Sequence, residues 1–172
     1  KNIEKNFSKY ENSTNFSIKS VATDVDGATV TMKYYEKDNK QAVFIEYNKN
    51  GEISKKTMYN NGERIDIFYD NNEGKTVELD SETTIDVQVY NALKTDNNWQ
   101  TFVFSVPTRI KFTKHNEKDS YIIKNFPSAF EGEEIYIEKD TGLFVKNIQN
   151  GVTTEKEYTF DNVDDAIFTE PD

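Results

Sequence analysis

Val43-Phe-Ile-Glu-Tyr-Asn-Lys-Asn-Gly51 and Asn61-Gly62-Glu-Arg-Ile-Asp-Ile-Phe-Tyr69 decide the fold. Val43, Ile45 and Tyr47 alternate with other residues, and so do Ile65, Ile67 and Tyr69. Period two puts each set on one side of a strand. Asn50-Gly51 and Asn61-Gly62 adjoin these runs. Asn-Gly is the strongest short-range hairpin signal, because tight hairpin turns need positive φ and glycine supplies it without steric cost.

The same rhythm extends in both directions. The seven glycines fall at 27, 51, 62, 74, 132, 142 and 151, nearly all beside turn-forming residues. Alternating runs lie between them: Phe16 and Ile18 with Val21, then Val30, Met32 and Tyr34, then Val77 and Leu79. Ile110 and Phe112, Tyr121 and Ile123, Ile135 and Ile137, Leu143 and Val145, and Tyr158 and Phe160 continue the series. The intervening positions are Lys, Glu, Thr and Asp, which predicts a wet opposite face. About ten or eleven short strands in meander order are too many for a flat sheet. The expected fold is mainly β (α+β): a single curled antiparallel sheet or unclosed barrel.

Residues 80–106 depart from this rhythm. Asp80 or Ser81 can cap a helix, and Ile85, Val89 and Leu93 are spaced by four. The β-branched Ile85, Val87 and Val89 also suit a strand. Trp99, Phe102, Val103 and Val106 form a helical stripe that Pro107 ends. One or two short helices inserted near 80–106 are therefore expected. They would plug or cover the concave face.

A chain of 172 residues suits one domain and buries roughly 70% of its unfolded surface. Residues 1–13 read as a polar tether or short helix, and 14–172 as a single half-barrel domain. With no Cys, disulfides and thiolate chemistry are excluded. The 12 Phe and 10 Tyr set this polar chain, of mean hydropathy −0.83, apart from disordered sequences. A net charge of −10 opposes binding to nucleic acid or to anionic membrane surfaces. The chain opens on Lys1 rather than Met, so a removed upstream segment is expected.

Chemistry-bearing constellations are sparse. His115, in Thr-Lys-His-Asn-Glu-Lys-Asp, reads as part of a polar turn; one His without Cys is not a zinc site. Asp24-Val-Asp26-Gly27 begins like a calcium loop but places its glycine too early, and a hairpin turn is the better reading. The same holds for Asp70-Asn-Asn-Glu-Gly74. No Gly-x-Ser-x-Gly elbow, phosphate loop or His-Glu-x-x-His occurs. No cofactor, metal or catalytic residue is expected. The aromatics outside the strands, Tyr90, Trp99, Phe102, Phe126 and Phe130, either fill the core or line a cleft for an apolar ligand.

Glu134-Ile-Tyr-Ile-Glu-Lys-Asp-Thr-Gly-Leu143, Val145-Lys, Tyr158-Thr-Phe-Asp-Asn-Val163 and Glu170-Pro-Asp resemble the C-terminal half of bacterial lipoproteins related to the outer-membrane lipoprotein carrier superfamily. That family often has Pro where this chain has Phe144. The resemblance implies an unclosed barrel capped by internal helices, with an apolar concave side that accommodates acyl chains. It also implies a lipid anchor just before Lys1 and an extracytoplasmic, envelope-anchored, monomeric protein. Arg64 and Arg109 carry over no gating role. Three functions stay open: a non-enzymatic lipoprotein binding a lipid or other apolar ligand, a protein- or polysaccharide-binding surface module with a filled core, and an extracellular hydrolase.

Overall fold

The computed structural model describes residues 13–60, 64–70, 74–78, 108–125 and 134–171. These residues form eleven strands: β1 (Asn15–Thr23), β2 (Thr29–Lys37), β3 (Lys40–Lys49), β4 (Glu52–Asn60), β5 (Arg64–Tyr69), β6 (Gly74–Glu78), β7 (Thr108–His115), β8 (Lys118–Asn125), β9 (Glu134–Glu138), β10 (Phe144–Gln149) and β11 (Val152–Phe160). All belong to one antiparallel sheet in the order β6-β5-β4-β3-β2-β1-β11-β10-β9-β8-β7. The sheet is not closed. β6 and β7 are its edges although they are successive among the described strands, and residues 79–107 join them. The helices expected near 80–106, and nearly all of the tether at 1–13, lie outside the described residues.

Ten of the strands coincide with the alternating runs. β4 is the one that the hydrophobic pattern does not announce. Its first four residues, Glu52 to Lys55, are exposed and all but Ile53 are polar, and only Met58 and Tyr59 are buried. It is held in register instead by its neighbours, Val43 facing Met58 on one side and Met58 facing Ile67 on the other.

The hairpins show why a search for glycine finds only some of the turns. Two-residue loops at Asn50-Gly51 and Asn150-Gly151 have positive φ at both positions, and so do Asp38-Asn39 and Asn116-Glu117, which contain no glycine. Such paired positive φ values match the right-handed twist of the flanking strands. Asp24-Val-Asp26-Gly27 is a turn, as expected: Asp24 Oδ1 accepts from the Asp26 and Ala28 amides, each at 2.9 Å.

One face of the sheet is apolar. Ile18, Tyr34, Val43, Met58 and Ile67 make a cross-strand row from β1 to β5, and all five are at most 5% exposed. Ile123, Ile135, Ile137 and Leu143 form a second cluster on the other half. Tyr158 on β11 packs against both, and its hydroxyl donates to the Phe144 carbonyl at 2.8 Å. A register shift between Phe144 and Lys146 on β10 marks a bulge, and Leu143 and Val145 to either side of Phe144 are both buried.

The opposite face corrects the expectation of a uniformly wet surface. Ala42, Tyr59 and Asp66 are buried there, at 0%, 8% and 4% exposure. The chain end provides a cover. After β11 it forms a short 3₁₀ turn, Asp165–Phe168, capped by Asp164 Oδ1 accepting from the Ala166 amide, and this turn packs on β3.

Candidate binding groove

The polar face is built from two interleaved cross-strand rows. One row is Tyr35, Ala42, Tyr59, Asp66 and Thr76; the next is Lys33, Phe44, Thr57, Phe68 and Gly74. Tyr35, Phe44, Tyr59 and Phe68 therefore zigzag between the rows and meet edge to face, with centroids 5.7, 6.1 and 5.8 Å apart. The smaller Ala42 and Thr57 separate the rings within each row. At the end of the second row Gly74 leaves room for Phe68, since a Cβ there would lie 3.0 Å from Phe68 Cε1. Edge-to-face contact sets the positive rim of one ring against the negative face of the next.

The C-terminal segment crosses this face. It is fixed at β1, where the Val163 amide donates to Asn15 Oδ1 at 3.1 Å, and at β2, where Lys37 Nζ reaches the Val163 carbonyl at 3.2 Å and Asp165 at 2.8 Å. At β5 it ends in a charged cluster. Glu170 lies close enough to Asp66 to feel its negative charge, and Arg64 Nη2 approaches it at 4.0 Å. Asp66 also accepts from Arg64 Nε at 2.8 Å and from Thr76 Oγ1 at 2.6 Å. Burial, then the negative charge of Asp66, raises the Glu170 carboxyl above its ordinary value. Burial, then Glu170, raises the Tyr59 hydroxyl. Arg64, whose sequence context suggested nothing, thus ties the chain end to the sheet. The signal that could have pointed here is Asp66 itself, an acid between Ile65 and Ile67.

Beside this cover lies a groove of about 480 Å³. Tyr35 and Phe44 form its aromatic part, Ile167 of the 3₁₀ turn is an apolar wall, and Lys19, Lys33, Lys55 and Glu46 supply charge. Ile45 and Lys56 also border it, but their strand positions direct their side chains to the other face. Lys19 pairs with Glu157 at 3.8 Å and Lys55 with Glu46 at 3.5 Å. Lys33 is exposed and has no ion-pair partner among the described residues. A second cavity, about 420 Å³, is lined by Tyr47, Ser54, Lys55, Lys56, Tyr69 and Asp70. Lys56 Nζ sits 5.4 Å from the Tyr69 ring centre there.

The aromatics singled out from the sequence, Tyr90, Trp99, Phe102, Phe126 and Phe130, lie outside the described residues. Among the described residues no group of three or more His, Asp or Glu could hold a metal ion. His115 ends β7, half-buried, with its ring 5.7 Å from Tyr136. No described helix is long and apolar enough to cross a membrane.

No protein-family model matches the chain, and no curated protein matches it. Solved structures do. An uncharacterized conserved protein from Thermus thermophilus superposes with a TM-score of 0.55 at 12% identity, over 98% of this chain and 92% of that one. MucB in complex with MucA(peri) gives 0.46 at 11% identity, over 98% of this chain and 58% of that one, so the chain spans little more than half of MucB's length. At such identity the likeness to the Thermus protein is one of fold alone.

Proposed function

We propose that this chain is a non-enzymatic, extracytoplasmic binding module whose polar-face groove takes a ligand with an apolar body and an anionic head, the lipid class. The groove carries the reading. Its volume, about 480 Å³, falls within the range of small-molecule sites, roughly 300–1,000 Å³. Tyr35, Phe44 and Ile167 suit an apolar chain, and Lys33, without an ion-pair partner among the described residues, suits a carboxylate or phosphate at its end. The envelope setting and the lipid anchor rest on the resemblance within residues 134–172. Dodecanoate titrated into the purified chain by calorimetry tests the groove, with native mass spectrometry for co-purified lipid. Phe44→Asp should abolish binding and Lys33→Glu should weaken it about tenfold, the loss of one charge-assisted contact. Binding that survives Phe44→Asp, or no binding by the wild type, defeats the reading.

The second cavity favours a surface module for polysaccharide. Tyr47 and Tyr69 are 46% and 42% exposed there. Tyrosine rings at such exposure can stack against sugars. Oligosaccharide binding lost in Tyr69→Ala but kept in Phe44→Asp would support this alternative.

A further inference from the structure

We propose that the outer edge of β7 is a docking site for an extended acidic segment of a partner protein, which adds to the sheet as a further strand. β7 pairs with β8 along its whole length, from Thr108 facing Asn125 to His115 facing Lys118. No described strand pairs with its other side. An edge strand presents a row of backbone donors and acceptors to any chain that can lie beside it, and proteins commonly blunt such edges with proline, bulges, short strands or charged side chains, lysine above all. β7 carries the lysines but none of the other devices: it is eight residues, regular in register, and free of Gly and Pro. The opposite edge, β6, has five residues and opens on Gly74.

Side chains add chemistry to this backbone edge. Phe112 is 77% exposed, an unusual state for an aromatic on the apolar face, and it rests against Tyr121 at 5.1 Å. Burying it would remove a large apolar surface from water. The charged residues of the strand are all basic. Arg109, Lys111, Lys114 and His115 occur in eight residues with no acid among them, in a chain of net charge −10. Lys111 and Lys114 are exposed, with no ion-pair partner among the described residues.

The charge selects the occupant. Two copies meeting β7 to β7 would bring lysines together, which opposes self-association. An acidic strand gains from the same lysines. Lys111 lies on the opposite face of β7 from Phe112 and Lys114. Main-chain hydrogen bonds would therefore give the affinity, and an apolar side chain beside Phe112 with Glu or Asp beside Lys111 would give the selectivity.

The test uses the full chain and two synthetic peptides, Thr-Val-Glu-Val-Glu-Val-Glu-Thr and the same peptide with Lys in place of Glu. Binding is followed by fluorescence anisotropy, and amide hydrogen exchange is measured across β7. The acidic peptide should bind and slow exchange within 108–115 by about tenfold or more, with binding weakening as salt rises from ~0.05 to ~0.5 M. The basic peptide should not bind. The double variant Lys111→Glu, Lys114→Glu, two exposed sites that leave the core intact, should reverse the preference. Three results overturn the proposal: β7 amides as protected in the free chain as those of β8, equal binding of both peptides, or protection appearing only elsewhere in the sheet.

Discussion

Arg64 Nε donates to the buried Asp66 of β5 at 2.8 Å while its Nη2 lies 4.0 Å from Glu170 near the chain end, so two carboxyl groups share one cation over the sheet. Burial and the charge of Asp66 raise the Glu170 carboxyl. A group whose folded value is raised contributes stability at low pH and loses it as pH rises through that value. Asp165 behaves oppositely. Its hydrogen bond and ion pair with Lys37 lower its carboxyl, so its contribution is lost as pH falls through the lowered value. The C-terminal segment should be held most firmly between these two limits, in mildly acid solution. Amide exchange at Val163 and Ala166 across a pH series, corrected for intrinsic rates, checks this. Glu170→Gln, which cannot ionise, should remove the loss on the alkaline side only. Asp165→Asn should remove the loss on the acid side only.

Phe44 is the middle of the aromatic zigzag and meets both Tyr35 and Tyr59 edge to face. Phe44→Leu keeps an apolar side chain but loses both ring contacts, each worth about 0.5–1.5 kcal/mol. A destabilisation of about 1–3 kcal/mol by urea unfolding is expected. A cost below that would mean that the rings serve only as area.

Tyr158 joins the two apolar clusters, and its hydroxyl is bonded to the Phe144 carbonyl. Tyr158→Phe should cost about 1 kcal/mol, since the ring packing survives and one hydrogen bond is lost. Ile137, at 0% exposure, is the harder test of the second cluster. Ile137→Ala should cost about 2–5 kcal/mol, the range for truncating a packed aliphatic side chain. A small cost would show that this half of the sheet is loosely packed.

Much of the sheet was legible because its apolar face writes a period of two into ten strands. β4 was not, because its outer half is polar and its place is set by β3 and β5. The cover on the polar face was illegible for another reason. Val163, Asp165 and Glu170 lie far along the chain from Asn15, Lys37 and Asp66, and no local pattern relates them. The groove follows from that cover, since Ile167 is one of its walls. Its other components, Tyr35 and Phe44, sit at strand positions that alternation assigns to solvent.

The four two-residue turns supply the last prediction. Gly51 has φ +85° with open space where a Cβ would stand, so Gly51→Ala costs only backbone strain, roughly 1–2 kcal/mol. Gly151 has φ +80°, and a Cβ there would come 2.6 Å from Cγ1 of Val25, a side chain 78% exposed and free to move aside. Gly151→Ala should therefore cost little more than Gly51→Ala. Glu117 inverts the experiment. It holds φ +67° as an ordinary L residue at the β7–β8 turn, where glycine bears no Cβ penalty. Glu117→Gly should stabilise the chain by about 0.5–1 kcal/mol, after the greater freedom of glycine in the unfolded state offsets part of the relief. Urea midpoints at constant m-value give all three numbers, and a destabilised Glu117→Gly would mean that the Glu side chain contributes more to this turn than its backbone strain costs.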